Sequence, residues 1–310
     1  MAIKTKPGSS FRTHILVFLL PAALIYTLFM ILPLIDTVRF SFYSEESGGP
    51  TTFVGWDNYI LILTDERWWT DFSNALKNNF IFFVVHMLIQ NPIGLLLAAL
   101  LSLPRLRLAN SYRTLIFMPT MLSVVIIGFI WKLILSPLWG VGDTLVGFVG
   151  FTDGLPALLG EESTALITLS LISVWQFVGI PMMLIYAALL NVPDDLVDAA
   201  IVDGANQWTA FWRIKLPLIL PTVAMVSVLT FVANFNAFDL IYAVKGALAG
   251  PDFHTDIMGT MFYRTFFGFQ LQPGSATMGA TVASLMFLVI LCGVMIYLFV
   301  IQRRLHRYQL

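Results

Sequence analysis

An all-α membrane protein with six transmembrane helices and both termini on the cytoplasmic side is the fold class this sequence predicts. Three observations predict it. Of 310 residues, 58% are apolar or aromatic and only 11% are charged, where a soluble domain carries about a quarter charged residues. Six apolar segments reach the roughly 20 residues that a helix needs to cross a bilayer; they lie near 14–38, 76–103, 114–135, 164–190, 218–241 and 277–301. With both ends inside, most of the basic residues fall on short cytoplasmic segments, the sense of the positive-inside bias.

The first element is a short N-terminal segment, 1–13, with Lys4, Lys6 and Arg12. The apolar run behind it is longer than the core of a cleavable signal, which a small-residue cleavage site follows, so it reads as an uncleaved span, with a signal peptide as the competing reading. The outside segment 39–75 holds Glu45, Glu46, Gly48, Gly49 and Pro50, then Trp56, Tyr59, Trp68 and Trp69. Such aromatics gather at membrane interfaces, which predicts an amphipathic surface helix near 56–72.

The second span carries His86, Gln90 and Asn91, read as hydrogen-bonding groups between helices. Arg105, Arg107 and Arg113 follow on the inside, ahead of the third span. A glycine-rich outside segment, 136–163, reads as loop with a short helix. The fourth and fifth spans contain Gly179, Pro181 and Pro221, which membrane helices tolerate when neighbours satisfy the freed backbone groups. Between these two spans, Arg213 and Lys215 fall inside. Outside segment 242–276 is polar and punctuated by glycine. The sixth span holds the single cysteine, Cys292, read as a small buried hydrophobe; one cysteine excludes an internal disulfide. Arg303, Arg304 and Arg307 anchor the inside tail, 303–310. The rest, 14–302, is one six-helix transmembrane domain.

The loop of 191–217, between the fourth and fifth spans, is the most informative segment: NVPDDLVDAAIVDGANQWTAFWRIKLP. Pro193 followed by Asp194 and Asp195 is a good helix start, with acids at the positive end of the helix dipole. Leu196, Ala199, Ala200 and Val202 give the short helix an apolar side. Gly204 is a natural stop, because it takes the left-handed conformation cheaply. A second helix runs from about Gln207 towards Pro217, with Trp208, Phe211, Trp212 and Ile214 as apolar surface. Local physics alone leaves an ordinary amphipathic connector open.

The residue pattern closely resembles the signature of ABC importer permeases: Glu-Ala-Ala, three residues, Gly, nine residues, Ile, one residue, Leu-Pro. Here it stands as Asp198-Ala199-Ala200, Gly204, Ile214 and Leu216-Pro217, with Asp203 before the glycine. Asp198 replaces Glu, which keeps the charge and shortens its reach by a methylene. Weaker resemblances to carbohydrate-type permeases of the maltose/glycerol-phosphate-like group run through Phe53–Leu63, Tyr112–Ile134 and Phe235–Tyr242. After the last of these, Lys245–Pro251 departs from the group's glycine-rich turn.

The resemblance implies a type I ABC importer permease fold in a bacterial cytoplasmic (inner) membrane. It implies a second permease subunit, two cytoplasmic ATP-binding subunits that hold ATP and Mg, and an extracytoplasmic solute-binding protein. The helix around Asp194–Ala205 is then the coupling helix. Leu196, Ala199, Ala200 and Ile201 form its apolar knob, Asp194, Asp195, Asp198 and Asp203 its acidic rim, and Gly204 and Ala205 its turn. A sugar or sugar derivative is the implied cargo, with a non-carbohydrate solute or a secondary transporter as alternatives.

Several functions are excluded or disfavoured. A net charge of −1 argues against nucleic acid as partner. No G-x-x-x-x-G-K-[ST] loop exists to cradle nucleotide phosphates, so this chain is read as a transport subunit and not an enzyme, with no cofactor of its own. No catalytic constellation and no cysteine–histidine metal spacing is present. Polar residues within spans are costly and mark candidate pathway groups. They are Gln176 beside Trp175 in the fourth span, and Asn234, Asn236 and Asp239 in the fifth, with Phe235 and Phe238 as aromatic faces. Asn234 and Phe238, four apart, are expected to share one helix face.

Overall fold

A computed structural model of the chain describes residues 13–44, 51–103, 106–139, 142, 144, 157–270 and 272–303. The expectations for Lys4, Lys6, Arg12, Glu45, Glu46, Arg105, Arg304 and Arg307, and for most of 136–163, lie outside these residues.

Helices carry the fold: α1 (Val17–Phe40), α2 (Asp57–Thr64), α3 (Glu66–Leu101), α4 (Ala109–Met121), α5 (Val124–Ile134), α6 (Glu162–Phe177), α7 (Gly179–Leu190), α8 (Asp194–Val202), α9 (Gln207–Lys245), α10 (Met258–Phe267) and α11 (Ala276–Val300). Two small antiparallel hairpins, β1 (Tyr43–Ser44) with β2 (Thr52–Phe53) and β3 (Gly268–Phe269) with β4 (Gln272–Pro273), close outer turns. Among the described residues, four helices are long and apolar enough to cross a membrane, and six crossings result if the bent pairs α4–α5 and α6–α7 are each one span.

Prolines shape the long helices. Wide π-type turns occupy Thr27–Ile31, His86–Gln90 and Phe211–Lys215, and each ends two residues before a proline, Pro33, Pro92 and Pro217. The proline ring crowds the carbonyl four residues back and offers no N–H, so the preceding turn widens to absorb it.

The surface helix expected near 56–72 divides in two. Asp65 interrupts it and caps α3, its carboxylate accepting from the amides of Arg67 and Trp68 at 3.1 Å each. The second span therefore begins ten residues earlier than apolar content alone places it. The outer segment 242–276 is also more ordered than its polarity suggests, because α10 packs Met258 and Met261 against Ile62, Phe72 and Val282 of α2, α3 and α11. A second core joins Ala98 and Leu101 of α3 to Met182 and Ile185 of α7 and Ile219 and Val226 of α9. A third joins Ile127 of α5, Leu169 and Ile172 of α6, and Leu240 to Val244 of α9.

The α4–α5 pair bends by 93° and α6–α7 by 42°. The two bends touch. A Cβ on Gly179 would lie 2.9 Å from the Cα of Phe117, so only glycine permits this approach. Cys292 is exposed on α11, which corrects the buried reading. The first half of α11 is buried from Thr277 to Val282, whereas Phe287, Leu288, Leu291, Met295 and Ile296 of its second half are exposed.

Candidate functional site

Two sites emerge: a cavity within the helices and the exposed helix–turn–helix of 191–217.

The cavity, about 480 Å³, lies between α3, α6, α7 and α9. It forms where α9 breaks. Its Leu216–Phe235 segment stops, Asn236 to Phe238 leave helical geometry, and a new segment begins at Asp239. Asn234, Asn236, Phe238 and Asp239 all face this cavity. The break changes the expected geometry, since Asn234 and Phe238 do not share a continuous helix face. They meet at the cavity because the chain turns there. Phe238 stacks on Tyr242 with centroids 4.9 Å apart and sits 5.4 Å from Tyr263, giving the broken segment an aromatic wall.

Opposite the break, His86 and Gln90 of α3 also line the cavity. The Nδ1 of His86 donates to the Phe82 carbonyl at 2.7 Å, which leaves Nε2 to accept from the Ser173 hydroxyl at 3.0 Å. Both ring nitrogens are thus engaged inside the bundle, in keeping with a structural hydrogen-bonding role. Asn91 accepts from Thr230 at 3.1 Å. Two buried acceptors lack a protein partner here, Gln90 Oε1 and Asn234 Oδ1. Buried oxygens without partners are rare in folded chains, and both stand at the cavity's edge. No lysine or arginine lines the cavity among the described residues, and Asp239 is its one carboxyl group.

Trp175, Gln176 and Phe235 fall elsewhere. Trp175 points to the other side of α6, edge-on to Trp131 of α5 at 5.7 Å. Gln176 is fully buried, but its Nε2 donates to the Leu122 carbonyl at 3.1 Å, while Thr120 Oγ1 donates to the Gln176 carbonyl at 2.9 Å. It thereby holds the 93° bend. Phe235 packs on Phe231 and Phe83. Sequence adjacency pairs Trp175 with Gln176, yet neighbours on a helix diverge by about 100°. We expect Gln176→Ala to lower the thermal stability of the assembled complex by about 1–3 kcal/mol, because the Leu122 carbonyl is then orphaned. An unchanged melting temperature would return Gln176 to a role in the pathway alone.

The loop of 191–217 forms the helix–turn–helix its sequence predicts. Helix α8 starts after Pro193 with Asp194 and Asp195 in its first turn. It ends in a Schellman motif, the Ala205 amide donating to the Ala200 carbonyl at 2.9 Å and Gly204 to Ile201 at 3.0 Å. Gly204 has φ +89°. Asn206 caps the next helix, accepting from Thr209 N at 2.8 Å. Val197 is buried and faces the rest of the chain. Leu196, Ala199 and Ile201 are exposed together with Asp194, Asp195, Asp198, Asp203 and Gly204, while Ala200 and Ala205 are half-buried. Val202, expected on the apolar side of α8, and Trp208 and Trp212, expected as apolar surface of the second helix, were not counted among the coupling residues, yet all three are exposed beside them. Their excess of apolar area on a charged loop is the signal that points to them.

Elsewhere, Glu162, Asp252 and His254 converge on the surface. His254 Nε2 lies 3.4 Å from Glu162 Oε2 on an exposed surface, and contact between these two side chains accounts for that geometry.

The family model for the binding-protein-dependent transport system inner membrane component matches residues 90–307. The chain is 31% identical over 252 residues to the probable ABC transporter permease protein YurN of Bacillus subtilis, covering 81% of this chain and 84% of that protein. It is 32% identical over 235 residues to the alpha-glucoside transport system permease protein AglF of Rhizobium meliloti, covering 73% and 66%. A bacterial ABC transporter involved in the import of the acidic polysaccharide alginate superposes with a TM-score of 0.77 at 22% identity, over 94% of this chain and 96% of that one. That likeness is one of fold.

Proposed function

The chain belongs to the family of binding-protein-dependent transport system inner membrane components, and from that premise we propose that it forms half of the pathway of an ATP-driven importer for a neutral sugar or polyol. It is an ABC importer permease of the inner membrane. The second permease, the two ATP-binding subunits carrying ATP and Mg, and the solute-binding protein outside complete the assembly. Both termini lie on the cytoplasmic side. The chain binds no nucleotide itself, and the loop around 194–217 meets the ATPase.

The cavity at the break of α9 supports the cargo. Gln90 Oε1 and Asn234 Oδ1 are acceptors without partners, and Asp239 and Phe238, which is backed by Tyr242, complete the wall. Acceptors call for donors, which hydroxyl groups supply, and an aromatic face suits the apolar face of a sugar ring. An acidic sugar would meet Asp239 with no cation beside it. The relatives include the permease of an alpha-glucoside system, in keeping with this cargo.

The test is ATPase activity of the reconstituted complex across maltose, trehalose, lactose, sorbitol, glucuronate and amino acids. Stimulation by a neutral sugar or polyol is expected. Stimulation by glucuronate alone, or by an amino acid alone, would overturn the cargo while leaving the importer intact.

A further inference from the structure

We propose that Asn79 is a positioning residue that sets the polar edge of the cavity by tying the broken helix α9 to the outer helix α10; the inference rests on the cavity being the solute site. Asn79 is fully buried on α3. Its Nδ2 donates to the Asn234 carbonyl at 2.9 Å, and its Oδ1 accepts from the Met258 amide at 2.7 Å. Both partners are backbone groups at helix ends. Asn234 O belongs to the last turn before the break, and Met258 N opens α10, so neither has a full helical partner. One amide side chain thus gives the free Met258 amide its acceptor and adds to the Asn234 carbonyl, which otherwise keeps only turn bonds such as that from the Ala237 amide at 3.3 Å, a shorter bond.

The anchored carbonyl is followed immediately by the residues that line the cavity, Asn236, Phe238 and Asp239. These lie in or just after the interruption, where few helical bonds constrain them, so the Asn79 anchor fixes where they stand. Helix α10 also leans on the break directly. A Cβ on Gly259 would lie 2.5 Å from the Ala237 carbonyl, which shows how closely the two backbones meet. The same stretch of α3 holds the outer segment through Asn74 Nδ2 to the Phe253 carbonyl and Asn78 Nδ2 to the Asp256 carbonyl, both at 2.8 Å. The hydrogen bonds of Asn74 and Asn78 run to that segment. Only Asn79, among the three, reaches the broken helix.

The experiment uses the whole complex with its ATPase and binding protein. Asn236→Cys in a Cys292→Ser background places a thiol at the cavity edge, and its rate of reaction with a small maleimide reports where that edge stands. Adding Asn79→Leu is expected to change the labelling rate by about fivefold or more, since small misplacements have large effects on reactive geometry. Asn78→Leu, which loses an equivalent bond to α10's leader without touching α9, should leave the rate near that of the parent. With maltose, trehalose and lactose as transported probes, sugar carried per ATP hydrolysed should fall by about tenfold in Asn79→Leu while ATPase turnover stays close to wild type. General misfolding would lower both together.

Parental labelling in Asn79→Leu, or an equal change in Asn78→Leu, overturns the proposal. Should Asn79→Leu not assemble, Asn79→Ala removes both bonds without adding bulk, and unchanged labelling there overturns it equally. If none of the sugars is carried even by the wild type, the cargo reading fails, and the labelling rates still decide the role of Asn79.

Discussion

Gly204→Asp is expected to leave the permease folded and inserted but to abolish solute-stimulated ATPase activity and to weaken co-purification of the ATP-binding subunits. The glycine has φ +89°, a conformation that side chains with a Cβ adopt only with strain. A Cβ there meets nothing within 4 Å, so no clash reaches the helices and the fold survives. The strain, about 1–2 kcal/mol, falls on the Schellman turn that ends α8. A carboxylate at this place also faces the negative end of the α8 dipole and stands beside Asp203, adding about 0.3–1 kcal/mol of repulsion. The turn relaxes, and α8 no longer presents Leu196, Ala199 and Ile201 as one rigid knob. Gly204→Asn, equal in size and tolerant of left-handed backbone, should keep part of the coupling, whereas Gly204→Val should lose it through strain alone. Wild-type uptake with normal recovery of the ATP-binding subunits in Gly204→Asp would remove the coupling role from this turn.

Much of this site was legible in the sequence for a local reason. The start at Pro193-Asp194-Asp195, the stop at Gly204 and the restart at Gln207 are all set by residues within a turn of the feature they make. The six apolar segments were legible for a similar reason, because lipid as solvent leaves the composition of each span little freedom. What sequence did not disclose depends on contacts between distant segments. Thus α10 is ordered by α2, α3 and α11 although its own segment is polar and punctuated by glycine, whereas the division of the surface helix at Asp65 is a local cap that the apolar pattern overlooked.

The cavity shows the same limit more sharply. Asn234, Asn236, Phe238 and Asp239 were singled out for polarity within a span, and they do line it. The break that brings them there is supported by Asn79, 155 residues away in sequence. Trp175 and Gln176 carried the same polarity signal, but the 93° bend of α4–α5 absorbs Gln176 into backbone support. His86 and Gln90 were read as structural, and their spacing of four residues was the one sign that they face a common space.

Arg264→Met is expected to be the most destabilising single substitution in the outer layer. Arg264 Nη1 lies 2.6 Å from Asp256 Oδ2, and the Asp256 side chain is fully buried. Thr260 donates to the other carboxyl oxygen at 2.6 Å. The guanidinium covers the Phe253 ring at 4.7 Å and reaches towards Asp71 at 3.7 Å. Removing one member of a buried pair strands the other charge and costs about 3–5 kcal/mol. Asp256→Asn should cost less, because Arg264 keeps Asp71 and its ring contact.

The pH dependence separates this cause from simple loss of packing. Burial pushes the Asp256 carboxyl above its ordinary value, opposed by the Arg264 guanidinium. Without Arg264 the shift grows. A carboxyl raised in the folded state is stabilised in its neutral form, so that stability is present below the ordinary carboxylate value and is lost as pH climbs through the raised one. Arg264→Met should therefore melt closer to wild type near pH 5 than near pH 8. Pairing it with Asp256→Leu removes the stranded charge and should recover much of the loss at the higher pH. Thermal unfolding of the purified complex at both pH values measures this directly. Equal losses at the two pH values, or a double variant as unstable as the single, would show that packing of the Arg264 stem, and not the buried carboxylate, holds α10 in place.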